Sequence, residues 1–580
     1  MAPDAQRIRV GRVDELKQHG TMVVAGPDRP LAVFYHQDQV FAVDNRCPHM
    51  GFPLHRGSTQ DGILTCHWHH ARFDLASGCT FDLWADDIPC YPVDIDNGEV
   101  WVTLHPNGAA DVTRWQRRLR EGMQQNIRLV QAKAIIGMLD AGADPHDILS
   151  QAGRYGVQHR QAGWSSGMTI LTAMGNLLPY LSDMDRMAPL YQGVLRVARA
   201  CNGEAPQILL QPLATERVSL DTLKRWLRRW VEVRDRNGAE RCVLTALAQG
   251  ASAADMTDML MTAATDHFYL DVGHTLDFIN KSFELLRHIG WAHAPEVLPS
   301  VLGHLTDAER SEERHAWRYP VDLVPLLHDA FDRLPDLLQS GRGKVWHGSA
   351  VLTETMLGDQ PHDIVTALCD SLRDGATPQE LAQALVCAAC RRIVQFHTCN
   401  EFSDWIAVLH TFTYSNALYQ ALQRASTPDM LRGVFHGAMR VYLDRFLNVP
   451  PAPLPSADGT AHLAVDATEF PQRFLDLLDT QQQVDTASGM VYQYLIAGHP
   501  VVPLYRTLIT ALVREDADFH SFQMLEAAIQ HHRELGATQD GHLMLVAAAR
   551  FLAAHAPTQR ELQQTATIAM RLHRGEEIYA

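Results

Sequence analysis

Two cysteines and two histidines near the start of the chain have the types and spacing of ligands to a redox-active metal centre. Cys47-Pro-His49 is followed, after 16 intervening residues, by Cys66-His-Trp-His69. Thiolates suit an iron that stays ferric, and neutral imidazoles suit an iron that is reduced, so mixed ligation raises the reduction potential above that of an all-cysteine cluster. The pattern therefore predicts a [2Fe-2S] cluster that carries one electron at a time. The predicted ligands are Cys47, His49, Cys66 and His69.

The residues around this motif distinguish the centre from a structural zinc site, which two cysteines and two histidines could also form. Gly51 follows the first ligand pair, and Ala71-Arg-Phe-Asp-Leu75 follows the second. With these features the segment from about residue 8 to residue 104 resembles the Rieske family. The resemblance favours the ferredoxin and oxygenase branch, because the extra cysteines that flank the ligands in respiratory members are absent, with Phe52 at that point.

Three further side chains lie within the second ligand pair or beside it. His67 and His70 flank the predicted ligands, but the Cys-x-x-His spacing selects His69. Trp68 stands inside the motif, and the resemblance implies that its ring shields the cluster. We therefore predict that His67 and His70 are not ligands.

The first part of the chain has the pattern of a small all-β domain, which we place at residues 1–105. Short apolar runs alternate with Gly, Pro, Asp and Asn, as is typical of strands joined by tight turns. The predicted strands are 21–24, 31–35, 40–43, 62–65, 72–75, 91–95 and 99–104.

Residues 106–580 have the pattern of a large all-α domain, with apolar residues at three- and four-residue steps from Trp115 to Leu139 and beyond. Segments that begin at Gly142, Gly250 and Gly375 each combine a helix-ending glycine with Asp, Ser or Thr as a cap for the next helix. Their recurrence predicts repeated helical units. The proline-rich stretch at 449–466 is a predicted loop or linker.

A histidine recurs at similar spacing in these units and suggests a second metal site. His159 follows Gly142, and His267 follows Gly250, by 17 residues. His397 follows Gly375, and His520 follows Gly498, by 22 residues. If 267–274 is helical, His267, Asp271 and His274 lie on one helix face, and His397, Glu401 and Asp404 repeat that spacing. A set of histidines and a carboxylate is what non-haem iron requires. The candidate ligands are His159, His267, Asp271, His274, His397, Glu401 and His410. Equally, such histidines are often satisfied core or surface groups.

The helical region has partial matches to two known families of non-haem iron oxygenases. Ring-hydroxylating oxygenases hold iron with Asp-x-x-His and a later histidine; Asp271-Val-Gly-His274 matches the first part, but Phe278 and Ile279 replace the later histidine. The segments at 267–278, 410–418 and 436–440 instead resemble all-helical questin-oxidase-type proteins. That resemblance implies non-haem iron oxygenation of polycyclic aromatic substrates. The carboxylated lysine of that family has no counterpart just before His410.

The amino-acid composition limits the kinds of partner and the compartment that we expect for this protein. A net charge of −17 and a pI near 5.9 argue against a nucleic-acid partner. No apolar run approaches the roughly 20 residues of a membrane span, and the first ten residues lack the apolar core of a secretory signal. Ten cysteines in so long a chain do not indicate a disulfide framework. We therefore expect a cytoplasmic protein without a membrane or nucleic-acid partner.

These features predict that the protein is an oxidoreductase with two domains, and more specifically an oxygenase. The cluster domain would receive electrons from an external reductase or ferredoxin, since no Gly-x-Gly-x-x-Gly motif follows a strand. It would pass them to non-haem iron among the helices, where oxygen oxidises a small organic, and by resemblance aromatic, substrate. The alternative is an electron-transfer or redox-sensing protein whose helices bind a partner and hold no second metal.

Overall fold

A computed structural model describes residues 6–26, 29–104, 112–215, 217–574 and 576. The contacts divide the chain into two compact units. The first comprises residues 1–151 and 561–580, and the second comprises residues 152–560. The predicted domain boundary at residues 105 and 106 lies outside the described residues.

The strands are all in the first hundred residues of the described chain. They are β1 Arg7–Arg12, β2 Thr21–Ala25, β3 Pro30–His36, β4 Gln39–Asp44, β5 Ser58–Gln60, β6 Ile63–Thr65, β7 Arg72–Asp74, β8 Cys90–Tyr91, β9 Val93–Asp96 and β10 Glu99–Thr103. They form three antiparallel sheets with the strand orders β1-β10-β9, β2-β3-β4-β8 and β5-β6-β7.

The predicted strands recur with two differences. The predicted strand at 91–95 is divided at Pro92 into β8 and β9, which belong to different sheets. Proline has no N–H to donate to a neighbouring strand, so it marks the point where the chain changes sheets. Two strands were not predicted: β1, in which three arginines interrupt the apolar pattern, and β5, which is short and polar.

Helices make up the remainder of the described chain, and one short helix, α1 Val13–His19, lies among the strands. The helices of residues 112–331 are α2 Val112–Gln124, α3 Arg128–Asp140, α4 Pro145–Gln158, α5 Ser166–Leu177, α6 Met187–Cys201, α7 Leu220–Glu232, α8 Arg236–Ala248, α9 Ala253–Thr265, α10 His274–Ile289, α11 Ala294–Val297, α12 Gly303–Thr306 and α13 Leu323–Phe331. Those that follow are α14 Leu334–Gly341, α15 Ser349–Met356, α16 Pro361–Arg373, α17 Pro378–Val394, α18 Phe402–Arg424, α19 Pro428–Asp444, α20 Ala457–Thr460, α21 Phe470–Leu477, α22 Val484–Ile496, α23 Val501–Val513, α24 Phe519–Leu535, α25 Gln539–Ala554 and α26 Glu561–His573. The predicted order, a β-rich domain followed by a large helical region, is confirmed.

The three predicted helix corners occur as expected. Gly142, Gly250 and Gly375 have positive φ angles and end α3, α8 and α16. The next helix is capped in each case: Ser252 Oγ accepts from the N–H of Asp255, for example, and the Asp255 carboxylate accepts from the N–H of Ser252. These local signals therefore place the helix ends correctly.

The stretch at 449–466 contains the short helix α20 between irregular segments. Every helix of the described residues is too short or too polar to cross a bilayer.

Four helices of the second unit pack around a common interior. Helix α10 packs against α5 and α18, and α24 packs against the same two helices. The four helices therefore form a bundle in which α10 and α24 bring their side chains together.

One sequence-based premise is wrong. Helix α9 ends at Thr265 and α10 begins at His274, so residues 266–273 are not one helix. Tyr269, Asp271 and Val272 have positive φ angles, which non-glycine residues rarely adopt. His267, Asp271 and His274 therefore do not share a helix face. The same applies to His397 and Glu401, because α18 begins only at Phe402.

Candidate metal centres

Two loops of the β-rich part carry the predicted cluster ligands. The loop after β4 is closed where the N–H of Cys47 donates to the carbonyl of Phe52 at 2.8 Å. The loop between β6 and β7 is closed where the N–H of Cys66 donates to the carbonyl of Ala71, also at 2.8 Å. Because strands fix both ends of the second loop, its backbone holds both ligands of a pair in place.

The structure brings these side chains together in a way that fits a [2Fe-2S] cluster. Both thiols are buried and lie within hydrogen-bonding reach of each other, and this contact lowers the pKa of Cys66 to about 6. The rings of His49 and His69 are 4.8 Å apart. Within the described residues, the buried Nδ1 atom of His49 has no hydrogen-bond partner. Two adjacent thiols and an unpartnered buried imidazole nitrogen are what the two irons of such a cluster require.

The neighbouring aromatic side chains surround the imidazoles. Trp68 is 38% exposed, and its ring lies 4.4 Å from that of His69. Trp84, which sequence analysis did not select, lies 4.5 Å from the ring of His49. His67 and His70 are exposed. The shielding role of Trp68 stays a prediction, and Trp84 is a second candidate for that role.

Comparison with known proteins agrees with this geometry. Residues 6–92 match the model of the Rieske [2Fe-2S] domain. A 3-phenylpropionate/cinnamic acid dioxygenase ferredoxin subunit from Photorhabdus laumondii subsp. laumondii is 34% identical over 95 residues, which are 16% of this chain and 89% of that protein. The chain belongs to the Rieske family. The Rieske region also resembles a Homo sapiens Rieske domain-containing protein, with 33% identity over 116 residues, 16% of this chain and 73% of that one.

Among solved structures, the ferredoxin of carbazole 1,9a-dioxygenase from Nocardioides aromaticivorans is 25% identical and has a TM-score of 0.17. That match covers 17% of this chain and 99% of the ferredoxin. The identity to the 3-phenylpropionate/cinnamic acid dioxygenase ferredoxin subunit shows that the Rieske region resembles ferredoxin components of oxygenase systems, which implies electron transfer. The family model ends at residue 92, so it does not bear on the second unit.

Helices that follow the Rieske region hold a buried cation against its first cluster loop. The Nζ atom of Lys133, on α3, donates to the carbonyl of Pro48, between two cluster ligands, and pairs with Asp86. Arg118, on α2, donates to Asp86 Oδ1 at 3.2 Å and to the carbonyl of Ala85 at 2.7 Å. Burial opposes ionisation of Asp86, but Lys133 and Arg118 hold the pKa of its carboxyl below the usual range. The positive charge of Lys133 is therefore fixed beside the cluster loop.

We expect Lys133→Met to lower the reduction potential of the cluster by on the order of tens of millivolts. A nearby cation and a hydrogen-bond donor both favour the reduced cluster, which carries one more negative charge. A redox titration followed by electron paramagnetic resonance measures the change. Lys17→Met, which removes a lysine that is 60% exposed, is the control and should leave the potential unchanged. Equal potentials for wild type and Lys133→Met would show that Lys133 does not tune the cluster.

A second group of potential metal ligands lies in the second unit. His274, His410 and His520 offer ring nitrogens that all lie within 4.8 Å of one another. They come from the first turn of α10, the middle of α18 and the first turn of α24. We call this group the histidine triad. The Nε2 atoms of His410 and His520 are 2.9 Å apart. Two nitrogens bound to one metal at about 2.1 Å and at right angles are about 3.0 Å apart, so this spacing suits adjacent ligands.

The histidine triad has a carboxylate that orients one of its rings. His520 Nδ1 lies 2.8 Å from Asp518 Oδ2, where it donates its hydrogen. Burial raises the pKa of Asp518, but the bond to His520 outweighs this effect and keeps the pKa low. The tautomer that carries its hydrogen on Nδ1 has the lone pair on Nε2, the atom that lies beside His410. A carboxylate hydrogen-bonded to a histidine in this way is typical of metal sites.

Burial keeps the imidazoles of His274 and His410 neutral. It lowers the pKa of His274 to about 4 and that of His410 to about 2, with further contributions from the neighbouring histidines. Metals bind the neutral form of histidine. Phe278 stacks on His274 at 5.4 Å, and Phe519 lies 5.5 Å from the same ring. The histidine triad therefore combines neutral nitrogen ligands with apolar aromatic surroundings.

Of the seven residues predicted for a second iron, the structure places His274 and His410 in the histidine triad. His267 lies elsewhere, with its two ring nitrogens 2.9 Å from a carboxylate oxygen of Glu312 and 3.0 Å from one of Glu232. His159 stacks on Tyr155 at 4.1 Å. These histidines are absent from the triad because they lie in the turns after helices rather than in the bundle.

The remaining candidates also lie outside the histidine triad. His397 Nδ1 accepts from the N–H of Cys399. Glu401 caps α18, and its exposed carboxylate accepts a hydrogen bond from a backbone N–H in the first turn of that helix. Asp271 lies in the left-handed segment before α10.

His520 is one of the repeated histidines of the sequence but is not among the predicted ligands. Its partner Asp518, two residues earlier, is the signal that could have identified it.

Proposed function

We propose that the protein is an oxidoreductase in which the Rieske domain supplies electrons to a non-haem iron held by the histidine triad. Residues 1–105 form the electron-carrying domain in this proposal, and residues 106–580 form the catalytic region. An external reductase or ferredoxin supplies the electrons, and oxygen oxidises a small organic substrate. The observation that carries the proposal is the convergence of three histidines, one of them oriented by Asp518.

Iron is the metal that fits this setting. Zinc has no redox chemistry, so it would make no use of a one-electron donor in the same chain. Three histidines leave coordination positions open for oxygen, as non-haem iron sites require. When bound, the iron supplies the site at which oxygen is reduced. The overall reaction takes substrate C–H, oxygen, two electrons and two protons to substrate C–OH and water.

The side chains of the site have defined parts in this reaction. Asp518 holds His520 in the tautomer that binds metal, and His274 and His410 remain neutral through burial. Phe278 and Phe519 provide apolar ring faces beside His274. Such faces suit an aromatic substrate. The resemblance of the segments around His274 and His410 to questin-oxidase-type proteins supports the same substrate class, with His520 as the third protein ligand.

The comparisons and composition support the proposed partners. The relatives named above include a ferredoxin subunit of a dioxygenase system, and such a subunit exchanges electrons with other proteins. None of the ten cysteines forms a disulfide, which suits a reducing compartment. We therefore infer a cytoplasmic protein that acts with a separate reductase and has neither a nucleic-acid nor a membrane partner.

The alternative function is electron transfer alone, with the helical region as a docking surface for a partner. The match of the Rieske region to ferredoxin subunits of dioxygenases, which cover only 16% of this chain, favours this alternative. It requires no metal in the second unit.

Iron counting separates the two functions. We expect about three irons per chain in protein produced with ample iron, two in the cluster and one at the histidine triad. We also expect oxygen consumption when a reductase and an aromatic substrate are added. About two irons per chain, together with electron transfer but no oxygen consumption, would establish the alternative. Inductively coupled plasma analysis and an oxygen electrode provide the two measurements.

A further inference from the structure

Polar side chains occupy a continuous row on two helices of the bundle, buried in its middle and exposed at its outer end. On α10 the row is His274, Asp277, Lys281, Glu284 and His288, and on α24 it is His520, Gln523, Glu526, Gln530 and Arg533. Steps of three and four residues place each set on one face of its helix. The row begins at the histidine triad, and we call it the polar stripe.

The middle of the polar stripe is fully buried. Asp277 and Lys281 are each 1% exposed, and Glu284 is 0% exposed. Interior positions of a bundle are normally apolar, because buried charges lose their hydration. Replacing a buried ion pair by apolar residues is often neutral or stabilising. Stability alone therefore does not account for a row of ionisable groups here.

The middle layer joins the two helices through charge. Lys281 Nζ donates to Glu284 Oε2 at 2.7 Å and to Glu526 Oε2 at 2.6 Å. From α5, Asn176 Nδ2 donates at 2.8 Å to Glu284 Oε2 and at 2.8 Å to Glu526 Oε1. Two carboxylates thus share one ammonium and one amide. Burial raises the pKa of Glu526, although Lys281 opposes the effect, so this carboxylate is the proton-accepting group of the layer.

The outer end of the polar stripe reaches a cavity of about 320 Å³. Asn176, His288 and Glu526 line it, together with Arg287 and Arg533, which are exposed. His288 Nε2 lies 2.7 Å from Asn176 Oδ1. Solvent in the cavity therefore has access to the buried carboxylate of Glu526.

The inner layer lies one helical turn from the histidine triad. Gln523 Nε2 donates to Asp277 Oδ2. Asp277 Oδ1 and Gln523 Oε1 are both buried without a hydrogen-bond partner among the described residues. Unsatisfied buried oxygens of this kind are the partners that a bridging water requires. Burial raises the pKa of Asp277 to about 7, although Lys281 opposes the effect, so this carboxyl can hold a proton near neutrality.

We propose that the polar stripe is a proton path from the cavity to the histidine triad, with Glu526 as its entry group and Asp277 as its delivery group. The path rests on the proposed function for its use, because oxygen reduction consumes protons. For each proton delivered, the Asp277 O–H bond breaks and a new O–H bond forms on the oxygen that is being reduced. The electrons for this step come from the reductase through the cluster. Asp277 is then a carboxylate, and it regains a proton from Glu526 through a bridging water, while Glu526 takes one from water in the cavity.

Hydrogen exchange at Asp277 tests the path without any metal or turnover. In full-length protein at about pH 6, the carboxylic acid band of Asp277 in the infrared spectrum is assigned by its loss in Asp277→Asn. We expect this band to shift rapidly on transfer to deuterated water in the wild type, despite the burial of the group. In Glu526→Gln the shift should be at least about tenfold slower.

Two further variants keep this test decisive. Asn176→Leu obstructs the cavity end without removing a charge, and it should also slow the exchange. Glu240→Gln is the matched control: Glu240 is buried on α8, where it accepts from the N–H of Leu210 at 2.7 Å, and its replacement should leave the rate unchanged. The absence of an Asp277 acid band, or equal exchange rates in wild type, Glu526→Gln and Asn176→Leu, would overturn the proton path.

A second experiment, on turnover, distinguishes failure of the proton path from failure of the proposed function. In iron-loaded protein, Asp277→Asn should keep its iron content but lose about 100-fold in oxygen-dependent turnover. Its solvent isotope effect should rise, and Asp277→Glu should restore part of the rate. Wild-type turnover and isotope effect in Asp277→Asn would overturn the path. If the wild type shows rapid exchange at Asp277 but neither binds a third iron nor consumes oxygen, the path stands and the proposed function is wrong.

Discussion

Replacing His410 by alanine is expected to remove about one iron per chain while leaving the Rieske signal in electron paramagnetic resonance intact. The variant lacks one of the three nitrogens of the histidine triad, and the two that remain come from α10 and α24. Loss of even an outer hydrogen-bond partner commonly weakens metal binding 10- to 100-fold, so loss of a ligand should cost at least about 100-fold. Oxygen-dependent turnover should fall with the iron content.

Two other variants make this expectation specific. His397→Ala removes a half-buried histidine that precedes the same helix but lies outside the histidine triad, and it should retain all of the iron. Asp518→Asn leaves the three ligands in place but removes the carboxylate that orients His520, and it should weaken iron binding by about 10- to 100-fold. If His410→Ala binds as much iron as His397→Ala and retains its turnover, the histidine triad is not the second metal site.

Replacing His69 by alanine should abolish the Rieske signal and remove about two irons per chain, because a cluster iron loses one of its two imidazole ligands. Electron transfer from the reductase should then be lost completely. Unlike the His410 variant, this one acts on the first unit, so the histidine triad should still take up metal. Visible absorption, electron paramagnetic resonance and metal analysis together record these changes.

His70→Asn is the matched control for this second expectation. His70 has a φ angle of 63°, which asparagine adopts more readily than alanine. The N–H of His70 also donates to the carbonyl of Cys66, a backbone bond that the substitution preserves. The variant should therefore keep the cluster signal. Loss of the signal in His70→Asn and its persistence in His69→Ala would reverse the ligand assignment.

Local signals predicted much of the fold. Capping residues and glycines placed the helix corners at Gly142, Gly250 and Gly375, because each signal acts within one turn of the helix end. Apolar alternation placed most strands for the same reason. The spacing of apolar and polar residues predicted the wrong structure where the backbone departs from a regular strand or helix. This occurs at Pro92, between β8 and β9, and in the left-handed segment before His274.

The proton path illustrates a further limit of reading the sequence. The polar residues of α10 and α24 recur at steps of three and four, which alone would suggest two solvated helix faces. Only packing shows that these faces are buried against each other, since Lys281 meets Glu526 from a position 245 residues earlier in the chain. The same residues thus change from surface groups to interior groups once the helices are placed.

The sequence by itself determined the Rieske centre, and the tertiary structure alone assembled the histidine triad. Each pair of predicted cluster ligands lies within four consecutive residues of one loop, so spacing along the chain carries most of the geometry. His410 and His520, in contrast, are 110 residues apart and meet only because α18 and α24 pack in one bundle. Contacts between distant helices depend on the sum of many packing interactions, and no short motif records that sum.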